Sequence, residues 1–544
     1  MSRSNMMAQL LRLARLAERC ERTGESSQEA IEQENLRIAG RRKFAKGAVA
    51  ATATAAVGAL SPTAWSRMAK LGGKIIELGS SGGGGIAVVG AGLAGLACAS
   101  ELARMGIQAR VFEASERVGG RCSSLRGFFP GQVVERGGEF INGSHQTMIG
   151  YARMMGLTLE DSTMFPGTAY YQFGGRMYSE AQVAEEYRAF AASIREDLNT
   201  LTCPTADSFT EADALFDYMS LEDYLILHGA GDLLRTVISS AYMAEYGAGI
   251  DELSAISFLR FVYSDKRSKL SPFGVFSGEN LRVAEGNDRI TSNLAAALPT
   301  PVALGYKLLA VRKLANHRLR LTFDVGGRTL QSDHEAVVMT LPFSVLRDVE
   351  LDASLNLPAS KRLAISNASM GDHSKLMVGF KQPYWYTRHG LNGSGYSDSA
   401  SIQSTWEANP SMSNNTRAVL AGYAGGMQSR SMKSGTVQAD AKSFLSYLEG
   451  VLPGANDAAQ RNGRGDVLAY TENWSSNPLS KGSHSCNRPG YFTSIADNEA
   501  KAVGNLLFAG EHTSSFYEWQ GFMEGAALSG LRAASEVYSL ARVK

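Results

Sequence analysis

Apolar positions along this chain fall into two kinds of pattern. Short unbroken runs, Ile86-Ala87-Val88-Val89, Ala109-Arg110-Val111-Phe112 and Ala336-Val337-Val338-Met339-Thr340, have the length and branched content of buried parallel strands. Between the first two, residues 93–105 repeat apolar side chains at helical spacing and Gly106 closes the helix. Residues 150–265 read as helical, with amphipathic stretches over 180–197 and 221–246 and few strand signals. Alternation returns around 304–311 and 319–323, with Gly326-Gly327 as a hairpin turn. From 376 to 466, strands and a helix alternate.

The first 40 residues are polar and helical in character, with leucines at irregular spacing. Arg41-Arg42-Lys43 then precede an uncharged Ala- and Thr-rich run, residues 47–60. That run is shorter than the roughly 20 apolar residues a spanning helix needs. Paired arginines before a weakly apolar stretch resemble a twin-arginine export signal, which implies a periplasmic or secreted protein. The competing reading is a basic helix end before an Ala-rich surface helix. Gly79 to Gly85, glycine and serine throughout, reads as a flexible joint, so residues 1–85 form a leader and linker outside the fold proper.

With 544 residues the chain is too long for one core. Its formal net charge of +1 gives no bulk attraction to nucleic acid or an acidic membrane. Five scattered cysteines without a CxxC pair argue against a disulfide framework or a zinc site, and no metal is expected.

The first apolar run leads straight into Gly90-Ala91-Gly92-Leu93-Ala94-Gly95, a complete GxGxxG, and Glu113-Ala114 follow the second run. Strand, glycine turn, helix, strand and acid come in the order of a dinucleotide site. Gly90 makes the tight turn, Gly92 admits a pyrophosphate to the backbone N–H groups, and Gly95 lets helix meet sheet. Glu113 would accept ribose hydroxyls.

Four further segments narrow the cofactor. They are Gly119-Gly120-Arg121, Glu135-Arg136-Gly137-Gly138-Glu139-Phe140, Phe508-Ala509-Gly510-Glu511, and Trp519-Gln520-Gly521-Phe522-Met523-Glu524-Gly525-Ala526. In this order they resemble the flavin-containing amine oxidase family, over most of residues 86–540. The resemblance implies an α/β fold: a discontinuous Rossmann-like FAD-binding domain with an inserted mixed α+β substrate domain and a helical subdomain. The expected parts are FAD binding over 86–149, 266–345 and 467–544, the helical subdomain over 150–265 and the substrate domain over 346–466. By resemblance Arg121 contacts the pyrophosphate, Glu511 the ribityl hydroxyls and Leu308 the adenine, with Trp474 near the flavin. The helix begun by Gly521, Phe522, Met523 and Ala526 points its positive end at the flavin. Ser483 stands where monoamine oxidases carry a flavin-linking cysteine, so FAD should be bound without a covalent link.

The same resemblance sets the chemistry. Lys375 takes the place of the family lysine that bridges through water to flavin N5, and burial in an apolar strand would desolvate it. The bland alternative is a strand lysine facing solvent. His484 and Phe522 replace the two cage aromatics, and Trp519 lies beside them in sequence. The resemblance is to the family's bacterial L-amino-acid oxidases, and oxidative deamination of L-amino acids is the expected activity: Arg388 would hold the substrate carboxylate and Trp406 would line the pocket, while a solvated loop charge is the competing reading of Arg388. The neutral amine would then lose its α-hydride to flavin N5, leaving an imino acid. Water would convert this to a 2-oxo acid and ammonia, and molecular oxygen would reoxidise the flavin with release of hydrogen peroxide. A primary-amine or polyamine oxidase, and a dehydrogenase or desaturase that does not use oxygen, remain open alternatives. So do the amine's identity and a homodimeric assembly.

Overall fold

The computed structural model describes residues 12–34 except 15, 18 and 22, together with 85–162, 166–260, 280–399, 401–413, 416–514 and 519–542. The paired arginines, the uncharged run after them and nearly all of the glycine linker lie outside the described residues. No helix among the described residues is long and apolar enough to cross a membrane.

Three of the strands predicted or implied by the apolar runs meet in one parallel sheet, joined by a fourth. These are β1 (Ile86–Val89), β2 (Ala109–Phe112), β3 (Ala336–Met339) and β4 (Leu506–Phe508), in the order β2-β1-β3-β4. The sheet therefore gathers residues from both ends of the folded chain. Helix α1 (Leu93–Arg104) and the terminal helix α2 (Met523–Arg542) share the hydrophobic cluster on one face. Gly530 permits their close approach, since a Cβ there would fall 2.2 Å from Ala94 O. On the other face lies an antiparallel meander, Lys307–Lys313, Leu319–Val325 and Arg328–His334, with Phe323 stacked on Phe112 at 4.6 Å. Its turn is Gly326-Gly327, both at positive φ, as the alternation predicts.

A second, seven-stranded sheet carries the substrate side. Its order is Ala469–Asn473, His373–Phe380, Ala418–Gly425, Ser404–Glu407, Leu391–Ser397, Thr168–Phe173 and Arg176–Tyr178. The last two strands correct the all-helical reading of 150–265. Thr-Ala-Tyr-Tyr-Gln-Phe is aromatic-rich, and Tyr170, Tyr171 and Phe173 are buried, but the run is too short to stand out between helical stretches. Leu159–Asp161 is likewise a strand, paired with Asn280–Val283. The rest of the stretch is helical: Glu180–Ala191, Arg195–Thr200, Glu211–Tyr218, Leu221–Leu227 and Asp232–Tyr246. Ser179 with Gln182 and Thr210 with Asp213 form capping boxes that start two of them. Asp232–Tyr246 ends on Gly247 at φ 65°, packed so tightly on Asp372 that a Cβ would sit 2.4 Å from its backbone N. That stop sets Glu245 and Tyr246 beside the first residue of the strand His373–Phe380.

A second correction concerns the leader. Residues 12–34 form two helical arms about Gly24 and pack into the helical subdomain. Leu13, Leu16, Ala17, Cys20, Ala30 and Ile31 are buried in the cluster that holds Val183, Ala184 and Tyr187. Arg12 pairs with Glu34 at 2.9 Å and Glu180 at 2.8 Å, and Ser27 donates to Glu185 at 2.7 Å. The leucine spacing looks irregular because the apolar face is shared between two short arms. This part of the leader belongs to the fold.

Candidate active site

The glycine loop is built as its spacing requires. A Cβ on Gly95 would lie 2.0 Å from Gly90 O, and one on Gly90 would meet Thr340 Oγ1 at 2.4 Å. At Gly92, by contrast, a Cβ would meet nothing within 4 Å. Gly92 is also the N-cap of α1, with no side-chain cap and no acid in the first turn. The N–H groups of the turn begun by Leu93 and Ala94 thus face open space beyond the carboxyl ends of the strands, a cradle for a diphosphate. Gly120 flanks it, its added Cβ 3.4 Å from Gly92 Cα. The Glu113 carboxylate accepts from Ala91 N at 2.8 Å and Ser115 N at 2.9 Å. It pins the loop to the end of β2, next to Ala114; Oε1 also accepts from Ser115 Oγ at 2.9 Å, and Oε2 retains a lone pair for a ribose hydroxyl. Leu308 is buried in the meander, opposite Phe323.

The far end of the chain completes this groove. Arg121 Nη1 donates to Glu511 Oε1 at 2.9 Å and to Ser483 O at 2.6 Å. Glu511 Oε2 accepts from Ser485 Oγ at 2.7 Å and Gly521 N at 2.8 Å. Burial alone would raise this carboxyl, but the Arg121 guanidinium and smaller contributions that include the Ser485 hydroxyl together outweigh it and hold Glu511 at about 2. The two residues expected to touch separate parts of the cofactor are therefore joined as a fixed pair. Gly510 and Gly521 both stand at positive φ around it. Gly137 and Gly138 are wedged in place, their added Cβ atoms 1.8 Å from Arg121 O and 2.9 Å from Met523 Sδ. Trp474 lies against Gly137 and donates from Nε1 to Arg136 O at 3.1 Å. Phe140 meets Trp406 at 5.7 Å, and Ala526 N closes the first turn of α2 onto Phe522 O.

Lys375 is buried, but not alone. Its Nζ lies 2.6 Å from Glu139 Oε2 and donates to Glu135 O at 2.9 Å and Gly137 O at 3.4 Å. Glu139 Oε1 accepts from Trp406 Nε1 at 2.9 Å, and Nζ sits 5.4 Å from the Trp406 ring. The burial expected of this strand lysine is met, and it comes with a counter-charge: all three ammonium protons have acceptors. It equally disposes of the solvent-facing alternative.

Beside Lys375 on the same face of the sheet runs a ladder of rings. His484 stacks on His373 at 4.8 Å, and His373 on Tyr423 at 4.9 Å. His484 Nε2 contacts Glu245 O, while its Nδ1 has no partner among the described residues. Burial lowers His484 to about 4, so the ring is neutral at pH 7. The Ser483 hydroxyl sits between His373 Nδ1 at 2.6 Å and Gly371 O at 2.8 Å, which suits a non-covalently held flavin. Phe522 and Trp519 both set their edges against His145, at 5.2 and 5.1 Å. A cavity is lined by Glu245, Tyr246, His484, Ser485, Asn487, Gln520, Gly521 and Phe522. Of these, Glu245, Tyr246, Ser485, Asn487 and Gln520 were not among the residues expected to form the site; the Gly247 helix stop is the one signal that could have pointed to the first two.

Arg388 is not brought to this cavity. It is exposed at the end of the short helix Tyr384–Thr387, against Gly454 and beyond the Phe380 end of the strand whose other end holds Lys375. Tyr384 and Trp385 turn inward and are fully buried, and the turn that buries them throws Arg388 outward. Trp406 likewise serves Glu139 rather than lining the His484 cavity.

A glycine loop, a capless helix start, a half-buried Arg–Glu pair and a second helix start around one groove define an FAD-dependent oxidoreductase. The chain belongs to the flavin-containing amine oxidoreductase family, whose pattern matches residues 93–538. It is 27% identical to AofH of Mycobacterium tuberculosis, which bears the name of a flavin-containing monoamine oxidase, over 84% of this chain and 96% of that protein. It is also 27% identical to the flavin-dependent L-tryptophan oxidase RebO of Lentzea aerocolonigenes, over 83% of this chain and 97% of the relative. In fold it is similar to cyclohexylamine oxidase from Brevibacterium oxydans IH-35A, with TM-score 0.70, 20% identity and coverage of 84% and 99%.

Proposed function

We propose that this flavin amine oxidase acts on a small primary amine lacking an α-carboxylate. The observation that carries this reading is the wall of the His484 cavity. Its described polar residues are the acid Glu245, the neutral His484 and the uncharged Ser485, Asn487 and Gln520, with no arginine or lysine among them. A described wall without a cationic side chain gives a substrate carboxylate no counter-charge, while a neutral imidazole can face a free amine. FAD, when bound, accepts a hydride equivalent from the amine carbon and delivers electrons to oxygen. The chain's own part is to seat the amine against the aromatic wall, exclude water and hold Lys375 beneath Trp406.

A second reading, oxidation of an L-amino acid, draws support from the similarity to the L-tryptophan oxidase and from the Asn487 and Gln520 amides, which can donate to a carboxylate. The test is peroxide release from the FAD-loaded enzyme, with each L-amino acid assayed beside its decarboxylated amine. Faster turnover of the amines is expected, and Arg388→Ala should change neither series. Turnover confined to the amino acids would overturn the first reading. Oxidation of substrate under an artificial electron acceptor, without peroxide in air, would point instead to a dehydrogenase.

A further inference from the structure

Bonds made behind the wall of the His484 cavity decide which of its polar atoms are left for a ligand. Gln520 Nε2 donates to the Tyr491 hydroxyl at 2.6 Å and to His512 O at 3.2 Å. A backbone carbonyl only accepts, so His512 O fixes this end of the amide as its NH2, and both of its N–H groups are spent. Tyr491 in turn contacts the buried Glu499 carboxyl, and the Glu499 backbone oxygen takes the Lys361 ammonium at 2.9 Å. The other end of Gln520, Oε1, accepts from Asn487 Nδ2 at 3.3 Å. That contact orients Asn487 in its turn: the amide nitrogen faces Gln520, and Oδ1 is a buried acceptor without a partner among the described residues. Asn487 is 7% exposed, and its backbone oxygen is held by Ser254 N at 3.1 Å.

His484 repeats the pattern. Its Nε2 faces Glu245 O, again a group that only accepts, so the ring proton sits on Nε2. Burial keeps the ring neutral near pH 7, which leaves Nδ1 as a lone pair without a partner among the described residues. The Ser485 hydroxyl and Gly521 N are turned away as well, both to Glu511 Oε2. Among His484, Ser485, Asn487 and Gln520, two open acceptors thus stand against one uncommitted N–H, the second of Asn487. Unmet buried acceptors are costly, and a ligand that brings N–H groups relieves both at once.

We propose that Asn487 Oδ1 and His484 Nδ1 accept two N–H bonds of the substrate nitrogen, so that Asn487 selects primary over tertiary amines and Gln520 is the positioning residue that orients it. The inference rests on the reading of this cavity as the seat of the amine. A primary amine meets both acceptors, and N,N-dimethylation replaces both N–H groups. A site built to receive N–H rejects the analogue lacking them, because its own polar atoms then stay unmet. A carboxylate finds only the one Asn487 N–H among these four side chains, which narrows the amino-acid reading to that contact.

The FAD-loaded enzyme would be titrated calorimetrically with tert-butylamine, which has no hydrogen on the carbon bearing nitrogen and so binds without being oxidised, and with N,N-dimethyl-tert-butylamine. Saturable binding of the primary amine is expected, tighter than that of the dimethyl amine by about tenfold or more. Asn487→Leu should weaken the primary amine about tenfold and leave the dimethyl amine unchanged, so that the preference collapses while flavin absorbance is retained. Gln520→Met, at a half-buried position, keeps the acceptor but frees it to turn, and should reduce the same preference by a smaller factor. It decides the matter if Asn487→Leu fails to hold flavin. No saturable binding of tert-butylamine, no preference in the parent, an unaltered preference in the variants, or equal weakening of both probes would overturn the proposal. Faster peroxide release from amino acids than from their amines, with the Asn487-dependent preference intact, would overturn only the reading of the substrate as lacking a carboxylate and would leave the nitrogen seat standing.

Discussion

Lys375 reaches the site with its counter-ion already attached, and that decides how its removal will read out. The lysine and Glu139 lie 236 residues apart in sequence, both almost fully buried, and share a 2.6 Å contact. Breaking such a pair from one side strands the other charge, at a cost of about 3–5 kcal/mol, whereas removing both charges together costs much less. Glu139→Gln and Lys375→Met should therefore each destabilise the FAD-loaded protein in denaturant unfolding, and the double variant should lie well short of their sum. Lys375→Met should also slow turnover while retaining flavin. Additive losses would show that the two groups do not act as a pair. The lysine was legible because a family segment surrounds it; its partner was not, because Glu139 sits inside a segment whose glycines speak for cofactor contact. Arg388 shows the reverse: proximity to Trp385 in sequence suggested a pocket, but the short helix that buries Tyr384 and Trp385 leaves Arg388 exposed at its end, against Gly454.

Among elements, the nucleotide half was readable because its strands are short, wholly apolar and punctuated by glycines that a close backbone approach demands. The substrate sheet was only partly so. Thr168–Phe173 completes a sheet whose other main strands lie more than 200 residues further on, and such pairing leaves no local mark. The N-terminal hairpin is the clearest case of burial created by partners. Its apolar residues meet Val183, Ala184 and Tyr187 of Glu180–Ala191, and its Arg12 and Ser27 reach Glu180 and Glu185. Deleting residues 1–34 should uncover that helix and lower the melting midpoint of the holoenzyme by on the order of 5 °C. Flavin should stay bound, since the hairpin packs on the helical subdomain and not on the β2-β1-β3-β4 sheet. An unchanged midpoint in scanning calorimetry would mean that the hairpin contributes nothing to the fold.

At the scale of the molecule, buried imidazoles set the response to acid. Burial lowers His334, His484 and His512 to about 4 and pushes His373 well below its ordinary value. In the unfolded chain each titrates near 6.5, so between about pH 6.5 and 4 the unfolded state binds more protons. Their contribution is complete above pH 6.5 and is lost as the pH falls through that window. Glu135 and Glu499 act in the opposite sense: burial raises both to about 7, and what they contribute is lost as the pH rises toward that value. Burial raises Asp217, Glu407 and Glu524 in the same sense but less far. With four histidines lowered and only two carboxyls raised as far as about 7, acid is the stronger destabiliser, and the melting midpoint should fall from pH 7 toward pH 4.5. His512 offers the cleanest check, because neither ring nitrogen has a partner among the described residues and the ring meets the Phe343 ring at 4.5 Å, its plane tilted 66° to it. Replacing it by phenylalanine removes a proton site without removing a hydrogen bond. The midpoint of His512→Phe, followed from pH 7 to 4.5 by calorimetry, should decline less steeply than that of the parent, whatever the offset at neutral pH. Parallel curves would mean that His512 is already charged in the folded protein, or that it takes up its proton without opposing the fold.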